Sequence, residues 1–370
     1  MIVTDIKCVV VPRDKLPAGM HGVDQIHEMD QVIVRVLTDE GLEGNAFAWG
    51  GPHGAATAQI IETVIKPQVV GENPHYVEKI WQKVRWRDRF GGHLPRYAYG
   101  PVDVALWDIR AQAADLPLYQ FLGAHDDNSP AYASSGLHAT PQQYAEDALQ
   151  AQQTGYTAYK LHPPSMLERG GAAQDIAACA AVREAVGPDM VLMSDPVASY
   201  TLQQAIQVGR ELEKLNYLWL EEPLWDQHIE AYVELTRTLD IAICGTEWGG
   251  DGLSGLSATT EYIVRHAVDI VRSDVSWKGG ITGLKKTAAL AEAFGMQCEI
   301  HMTVYGLLDW ANLHVALAIP NCQYLELPAN RRQSFGLMEQ PEVDRHGYVH
   351  APQRPGLGVE LDWQTIHRLA

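Results

Sequence analysis

The sequence lacks an apolar run long enough to cross a membrane: nowhere in its 370 residues do about 18 apolar residues follow one another. The N-terminus MIVTDIKCVVVPRDK also lacks the basic start and apolar helical core of a secretory signal. From these two absences we expect a soluble, cytoplasmic protein with no membrane partner.

Cysteines and basic residues are both scarce. The five cysteines are odd in number and show no paired spacing, which predicts reduced thiols and no disulfide framework. Lys and Arg number 28 against 46 Asp and Glu, and the formal net charge is −18. A surface of this charge repels phosphate backbones, so nucleic acid is not an expected partner. An anionic small molecule would need a metal ion or local cations to receive it.

The first part of the chain has a different hydrophobic period from the rest. Residues 1–50 alternate apolar and polar side chains, with a turn signal at Asp39-Glu40-Gly41, and predict a small antiparallel sheet. Helical periodicity follows at about 54–66, 74–89 and 97–115. Residues 1–125 are therefore predicted to form an α+β domain.

Ionisable residues then recur at a spacing of about 26 residues, close to the unit length of a (β/α)₈ barrel. Each residue closes a short apolar run, and helical patterns lie between the runs. The six residues are Asp195, Glu221, Glu247, Asp274, His301 and Glu326. With earlier strands predicted near Pro130 and at 157–162, eight strands are expected, and their polar end residues should converge at one rim.

Three of these residues are consecutive carboxylates. Asp195, Glu221 and Glu247 offer hard oxygen donors without Cys or His, which favours Mg²⁺, or Mn²⁺, over zinc. Three converging anions without a cation would repel one another. The alternative for each acid taken singly is a solvated rim residue or an ion-pair partner.

Candidate proton carriers lie on both sides of the predicted metal site. Lys160 and His162 are two residues apart and share one strand face. Asp274 and His301 end adjacent strands about 4.8 Å apart, so the carboxylate could orient the imidazole and raise its basicity. The alternatives are a structural histidine at 301 and a lysine at 160 that neutralises the carboxylates.

Several segments resemble the enolase superfamily, and within it the mandelate racemase-like branch. The helix from 99 to 124 resembles the family's link into the barrel, and SDPVASY and WLEEPL resemble its first two metal-ligand segments. IVRSDVSWKGGIT and PGLGVELD resemble its sixth-strand segment and its C-terminal tail. The resemblance implies a capping domain at 1–125, a modified (β/α)₇β barrel at 126–335, and a segment at 336–370 that returns to the capping domain. It also implies a homo-oligomer.

The resemblance further implies one Mg²⁺ per chain and abstraction of the proton α to a carboxylate. By position, it assigns Lys160 and His162 to one face of the substrate, the His301/Asp274 dyad to the other, and Glu326 to a substrate carboxylate oxygen. The family motif on the second strand is most often Lys-x-Lys, and here His162 replaces the second lysine. If Glu326 is protonated, it could donate a hydrogen bond to the developing oxyanion.

The fate of the resulting enediolate decides the reaction. A β-hydroxyl could leave as water, whereas a second base could return the proton with inversion. We favour dehydration of a sugar acid to a 2-keto-3-deoxy acid, since polar and aromatic loop residues suit a hydroxylated substrate; they are His21, Trp49, His53 and Tyr305. The rivals are a racemase, epimerase or lactone cycloisomerase, a non-catalytic sugar-acid-binding barrel and, lower still, a zinc hydrolase.

Overall fold

A computed structural model describes residues 1–12, 30–49, 53–91, 94–166, 171–248, 255–302, 306–328 and 336–370. In these ranges the chain forms an N-terminal α+β domain, a parallel barrel and a C-terminal segment. No helix in them is both long and apolar enough to cross a membrane.

The N-terminal domain is built on an antiparallel sheet in the order β1-β2-β3. Its strands are β1 (Val3–Val11), β2 (Gln31–Thr38) and β3 (Glu43–Trp49). A tight turn joins β2 to β3, where the Thr38 N–H donates to Leu42 O at 3.1 Å. The alternating pattern of residues 1–50 therefore predicted this sheet correctly in the described strands.

Helices cover that sheet, and the described ones agree with the predicted periodicity. They are α1 (Gly54–Ile60), which continues through a π-helical turn (Ile61–Ile65) into α2 (Lys66–Val69), and then α3 (Val77–Gly91), α4 (Arg96–Ala113) and α5 (Leu118–Phe121). Helix α4 packs closely on β3, since a Cβ at Gly44 would lie 2.0 Å from Ala105 O. A side chain at Gly44 would push helix and sheet apart.

In the described part of the chain, eight parallel strands follow and close into a barrel. They are β4 (Asn128–Ser134), β5 (Ala158–Leu161), β6 (Val191–Ser194), β7 (Trp219–Glu221), β8 (Ala242–Gly245), β9 (Ile270–Ser273), β10 (Gln297–Ile300) and β11 (Leu325–Pro328). Strand β11 pairs with β4 in parallel, from Leu325 opposite Ala131 to Pro328 opposite Ser134. This pairing confirms the barrel.

Seven described helices connect the barrel strands and form its outer layer: α6 (Pro141–Gln153), α7 (Ala172–Val186), α8 (Leu202–Lys214), α9 (Ile229–Thr238), α10 (Gly255–Val264), α11 (Ile281–Ala293) and α12 (Leu307–Ala316). Helices α6 and α8 begin with capping boxes, in which Thr140 pairs with Gln143 and Thr201 with Gln204. These local signals start each helix just beyond a strand end. The result agrees with the predicted capping domain plus (β/α)₇β barrel.

Helix α4 also joins the N-terminal domain to the barrel. Asp103 accepts hydrogen bonds from the Thr282 N–H and hydroxyl at 2.9 and 2.7 Å, and burial raises the Asp103 pKa to about 7. A Cβ at Gly100 would lie 2.6 Å from Val275 O, so the glycine permits close approach to the loop after β9. Helix α4 thus packs against the loop that follows Asp274.

The C-terminal segment contacts both the barrel and the N-terminal domain. Strand β12 (Tyr348–His350) pairs antiparallel with the start of β4, and helix α13 (Trp363–Leu369) ends the chain. Asp108 on α4 accepts from the Leu357 N–H at 2.8 Å. Arg35 on β2 stacks on the Trp363 ring at 4.5 Å. The boundaries at 125/126 and 335/336 stay a prediction.

His314 ties α12 to both neighbouring segments. The Tyr119 N–H donates to His314 Nδ1 at 3.0 Å, so the ring proton lies on Nε2, which donates to Leu357 O at 3.1 Å. The ring is fully buried, and burial lowers the His314 pKa to about 4. His314 is therefore a neutral imidazole in the folded protein.

This pairing predicts a loss of stability in mild acid. The His314 pKa is lower in the folded state than in the unfolded chain, where it is about 6.5. The contribution of neutral His314 to the free energy of unfolding is therefore complete above pH 6.5. This stabilisation, about 3 kcal/mol in all, is lost as the pH falls toward 4. Urea unfolding of the wild type and His314→Gln between pH 4 and 7.5 measures it. A stability difference between the two proteins that does not change with pH would contradict the prediction.

Candidate active site

The predicted site residues lie on the inward face of the barrel, at or just beyond the strand ends. Below them, a cluster of buried hydrophobic side chains fills the barrel interior: Tyr132, Ala158, Met193, Trp219 and Cys244. Because side chains alternate along a strand, Trp219 and Glu221 share the inner face of β7, as Ala158 and Lys160 do on β5. The charged layer therefore lies directly above an apolar floor.

Lys160 lies at the centre of this charged layer and is fully buried. Its Nζ is 3.2 Å from Asp195 Oδ2, 2.9 Å from Glu221 Oε1 and 2.8 Å from Glu326 Oε1. Burial alone would lower its pKa, but Glu221 and Glu326 hold the pKa of Lys160 well above its usual value. Lys160 is therefore a stable ammonium that neutralises carboxylates, as one alternative reading of the sequence proposed.

Arg272 completes this layer, and the sequence analysis did not single it out. Its Nε lies 2.8 Å from Glu221 Oε1, and its terminal nitrogen pairs with Glu326 Oε2. The side chain is fully buried on β9. A signal was present, because Arg272 lies two residues before Asp274 and so shares its inward face.

These contacts determine the charge of Glu326, for which the sequence suggested a hydrogen-bond donor only if the carboxyl were protonated. Its Oε1 contacts Lys160, and its Oε2 accepts from Arg272 and, at 3.0 Å, from the Met302 N–H. Burial opposes ionisation, but Lys160 and Arg272 hold the Glu326 pKa well below its usual value. Glu326 is thus an ionised acceptor held at the eighth strand.

The structure forms the predicted contact between Asp274 and His301. His301 Nδ1 donates to Asp274 Oδ2 at 2.6 Å, and the other Asp274 oxygen accepts from the Trp277 N–H at 2.7 Å. His301 Nε2 lies 3.6 Å from Glu247 Oε1. Burial would lower the His301 pKa, but Glu247 and Asp274 raise it to about 9. The carboxylate fixes the ring so that Nε2 faces the carboxylates of the site.

His162 is oriented by a different kind of partner. Its Nδ1 lies 2.9 Å from Ser135 O, a carbonyl that can only accept, so this nitrogen carries a proton. The Ser135 hydroxyl receives the His162 N–H, and the Tyr144 hydroxyl donates to His162 O at 2.6 Å. His162 Nε2 then lies 3.3 Å from Asp195 Oδ2. Sequence reasoning missed Ser135 and Tyr144 because they act from neighbouring units.

At the rim of the site, Glu222 and Glu247 bring more negative charge together than the neighbouring cations neutralise. Burial, with Asp274 and Glu221 nearby, raises the Glu247 pKa to about 7, although His301 and Arg272 act against this. Burial and repulsion from Glu247 raise the Glu222 pKa well above its usual value. In contrast, Lys160 and His162 overcome burial and lower the pKa of Asp195. The rim at Glu222 and Glu247 is therefore short of positive charge.

A divalent cation fits this donor set in chemistry and charge. The donors are all carboxylate oxygens, and Asp195 and Glu221 already direct oxygens at one cationic atom, Lys160 Nζ. Among the described residues, however, no three His, Cys, Asp or Glu side chains already converge as metal ligands do, and Glu247 is turned toward His301. The ligand roles of Asp195, Glu221 and Glu247 stay a prediction that requires Glu247 to turn inward.

Of the four residues predicted to contact the substrate, the structure describes only His53 together with its side chain. His53 is exposed immediately before α1, and its carbonyl accepts from the Ala56 N–H at 2.9 Å. Trp49 ends β3, but its side chain is not among those described. His21 and Tyr305 lie outside the described residues. The roles of these four residues in substrate binding stay a prediction.

Comparison with known proteins identifies the family. Residues 3–123 match the mandelate racemase/muconate lactonizing enzyme N-terminal domain, and residues 143–365 match the enolase C-terminal domain-like model. The chain belongs to this family. The resemblance seen in the sequence motifs is thereby confirmed.

Relatives of this family member include dehydratases and a cycloisomerase. L-talarate/galactarate dehydratase of Salmonella typhimurium is 30% identical over 342 residues, covering 91% of this chain and 82% of the relative. A 3,6-anhydro-alpha-L-galactonate cycloisomerase of Streptomyces coelicolor is 29% identical, covering 99% and 98%. The crystal structure of D-glucarate dehydratase from Agrobacterium tumefaciens, complexed with magnesium, matches with TM-score 0.84 and 33% identity, covering 100% and 98%. The family member described here is an enzyme of the lyase class, with isomerases among its relatives.

Proposed function

We propose that this enzyme uses Mg²⁺ to abstract the proton α to the carboxylate of a sugar acid and eliminates the β-hydroxyl to give a 2-keto-3-deoxy acid. The observation that carries the proposal is the 2.6 Å contact between His301 Nδ1 and Asp274 Oδ2, which leaves Nε2 facing the carboxylates. Dehydratases among the relatives support the sugar-acid class.

Each part of the site has a defined task in this proposal. Asp195, Glu221 and Glu247 would hold one Mg²⁺, which would stabilise the second negative charge formed on the substrate carboxylate. In this proposal His301 Nε2 is the atom that exchanges a proton with the substrate, because Nδ1 is committed to Asp274. With a pKa of about 9, the ring must lose its Nε2 proton before it can act as the base. Lys160 and Arg272 keep Glu326 ionised, so Glu326 would receive a hydroxyl or N–H donor from a ligand.

The proposed reaction balances without another reactant. A histidine Nε2 takes the α-proton, and the C–H electron pair moves into the enediolate. The β-carbon–oxygen bond then breaks, and its hydroxyl leaves as water with a proton from an acid on its own face. The resulting enol takes a proton at the β-carbon and loses its hydroxyl proton, which gives the 2-keto acid. Whether His301 or His162 removes the first proton is left to the experiment.

A second candidate, racemisation, epimerisation or cycloisomerisation through the same enediolate, is favoured by one observation. His162 follows β5 and His301 follows β10, well separated around the barrel, and each has Nδ1 committed to a fixed acceptor. Two Nε2 atoms directed inward from two sides could take a proton from one face and return it to the other. A non-catalytic binding barrel has no such supporting observation.

A substrate panel tests the proposal. Protein with Mg²⁺ is incubated with aldonic and aldaric acids, and 2-keto acids are measured with semicarbazide. We expect keto-acid formation from at least one acid, and its loss after chelation and recovery with Mg²⁺. The same reactions in D₂O report α-proton exchange by NMR.

The exchange measurement separates the candidates. Exchange or lactone rearrangement without keto acid favours the isomerase reading. Binding of an acid without any α-proton exchange favours the binding barrel. No keto acid and no exchange across the complete panel would contradict the proposed function.

A further inference from the structure

Left-handed backbone conformations cluster around the predicted metal ligands. Val197 and Ala198 have φ of 45° and 56° shortly after Asp195, Glu222 has 36° directly after Glu221, and Thr246 has 84° directly before Glu247. Such conformations are unusual for side chains with a Cβ, and most of all for β-branched residues such as valine and threonine. They persist only where surrounding contacts fix them, and they concentrate at functional sites.

The peptide group between Thr246 and Glu247 is held from both ends. Lys278 Nζ donates to Thr246 O at 2.6 Å, and the Glu247 N–H donates to Glu222 Oε1 at 2.7 Å. Lys278 and Glu222 are 3% and 6% exposed, so water competes little for either bond. Both bonds join an ionisable side chain to the backbone, which is the stronger class of hydrogen bond when that side chain is charged.

These contacts reach across neighbouring barrel units. Glu222 follows β7, the held peptide follows β8, and Lys278 lies in the loop between β9 and α11. Lys278 Nζ also donates to Thr259 on α10 at 3.3 Å, while the Thr246 hydroxyl donates to Arg272 O at 3.1 Å. The peptide cannot rotate without breaking contacts to both adjacent units.

We propose that Lys278 and Glu222 are a positioning pair that fixes the Thr246–Glu247 peptide and, through it, the direction in which the Glu247 side chain leaves the backbone. The inference rests on the proposed function, in which Glu247 is a metal ligand. Neither residue is assigned contact with the substrate or with reacting atoms. Their task is to hold Thr246 in its left-handed conformation, so that Glu247 leaves the strand toward the rim.

The alternative is that Lys278 only stabilises the barrel. Lys285 offers a matched control, because its Nζ also donates to a backbone carbonyl, Leu122 O, at 2.9 Å. Lys285 lies on α11 at the contact with the N-terminal domain, away from Glu247. Lys278→Met and Lys285→Met each remove one lysine-to-carbonyl bond, but only the first releases the Thr246–Glu247 peptide.

The first measurement is Mg²⁺ affinity, by calorimetry and by intrinsic tryptophan fluorescence. Trp248 contributes to this signal; it follows Glu247 and stacks on Trp277 with ring centroids 4.0 Å apart. We expect the Kd to rise about 10- to 100-fold in Lys278→Met and in Glu222→Leu, as for other groups that orient metal ligands. Glu222→Gln keeps a carbonyl acceptor and should stay within about threefold of wild type if the hydrogen bond decides its role. Lys285→Met should bind Mg²⁺ as wild type does.

The second measurement does not require metal. Hydrogen exchange of the Glu247 amide, followed in the metal-free protein, should accelerate in Lys278→Met and Glu222→Leu but not in Lys285→Met. Circular dichroism verifies that each variant folds. Because Glu222→Leu releases the same peptide from the other side, the test does not depend on the folding of one variant.

The two measurements separate this inference from the proposed function. If wild-type protein binds no Mg²⁺, the proposed function fails, while amide exchange still judges the positioning pair. If both variants keep wild-type affinity and wild-type Glu247 exchange, the inference is overturned. Equal losses of affinity in Glu222→Gln and Glu222→Leu would overturn the hydrogen-bond role of Glu222 and leave its charge as the cause.

Discussion

The His301→Asn variant is expected to lose about 10²- to 10⁴-fold in kcat and in α-proton exchange, the usual contribution of a positioned acid–base group. Asparagine can keep a side-chain contact with Asp274 but has no nitrogen that can take up a proton near neutral pH. Mg²⁺ affinity should change little, because His301 is not among the proposed ligands. Steady-state kinetics with the best acid of the panel, together with exchange in D₂O, measures the effect.

Asp274→Asn is the companion variant for this prediction. The amide can reverse its hydrogen bond to His301 Nδ1 and stabilise the wrong tautomer, so we expect a loss in the same direction with the fold retained. If His301→Asn exchanges the α-proton within tenfold of wild type, His301 is not the proton carrier. His162 would then be the remaining imidazole in the described site.

The Lys160→Met variant is expected to lose about 3–5 kcal/mol of unfolding free energy, which is typical when one partner of a buried ion pair is removed. Lys160 Nζ lies within 3.2 Å of oxygens from three different carboxylates, all of them buried. Removing the ammonium leaves these charges with Arg272 as their nearest permanent cation. Urea unfolding in metal-free buffer, followed by circular dichroism, measures the loss.

A double variant tests the cause of that loss. Lys160→Met/Glu326→Gln removes one negative charge together with the ammonium, while the amide can still accept from Arg272. We expect it to be more stable than Lys160→Met alone, because the coupling between neighbouring residues is not additive. A loss below about 1 kcal/mol in Lys160→Met would contradict the role of Lys160 as the counter-ion of this layer.

The barrel and the position of the site were predictable because local rules determine them. Each unit ends an apolar strand with one ionisable residue, and strand ends meet at one rim whatever the helices between them contain. The Asp274–His301 contact follows from the same rule, since adjacent parallel strands bring their end residues together.

The pairing inside the barrel was less predictable because it depends on closure. Arg272 and Glu326 are 54 residues apart in sequence, and they meet only in the interior of the barrel. An arginine in a short strand reads as an ordinary charged residue, so the ion pair that keeps Glu326 ionised was not predicted. Glu222 and Lys278 were missed for a related reason: they act on a backbone peptide, which leaves no side-chain motif in the sequence.

Barrel closure also has a consequence for synthesis on the ribosome. Strand β4 leaves the ribosome about 190 residues before β11, the neighbour that closes the barrel. At about 5–20 residues per second, the nascent chain spends roughly 10–40 s with that edge uncovered. Lys160 and Arg272 are also made before Glu326, so their final partner arrives last. Until β11 arrives, the open edge of β4 can pair with another chain, which makes it a site of misassembly during translation.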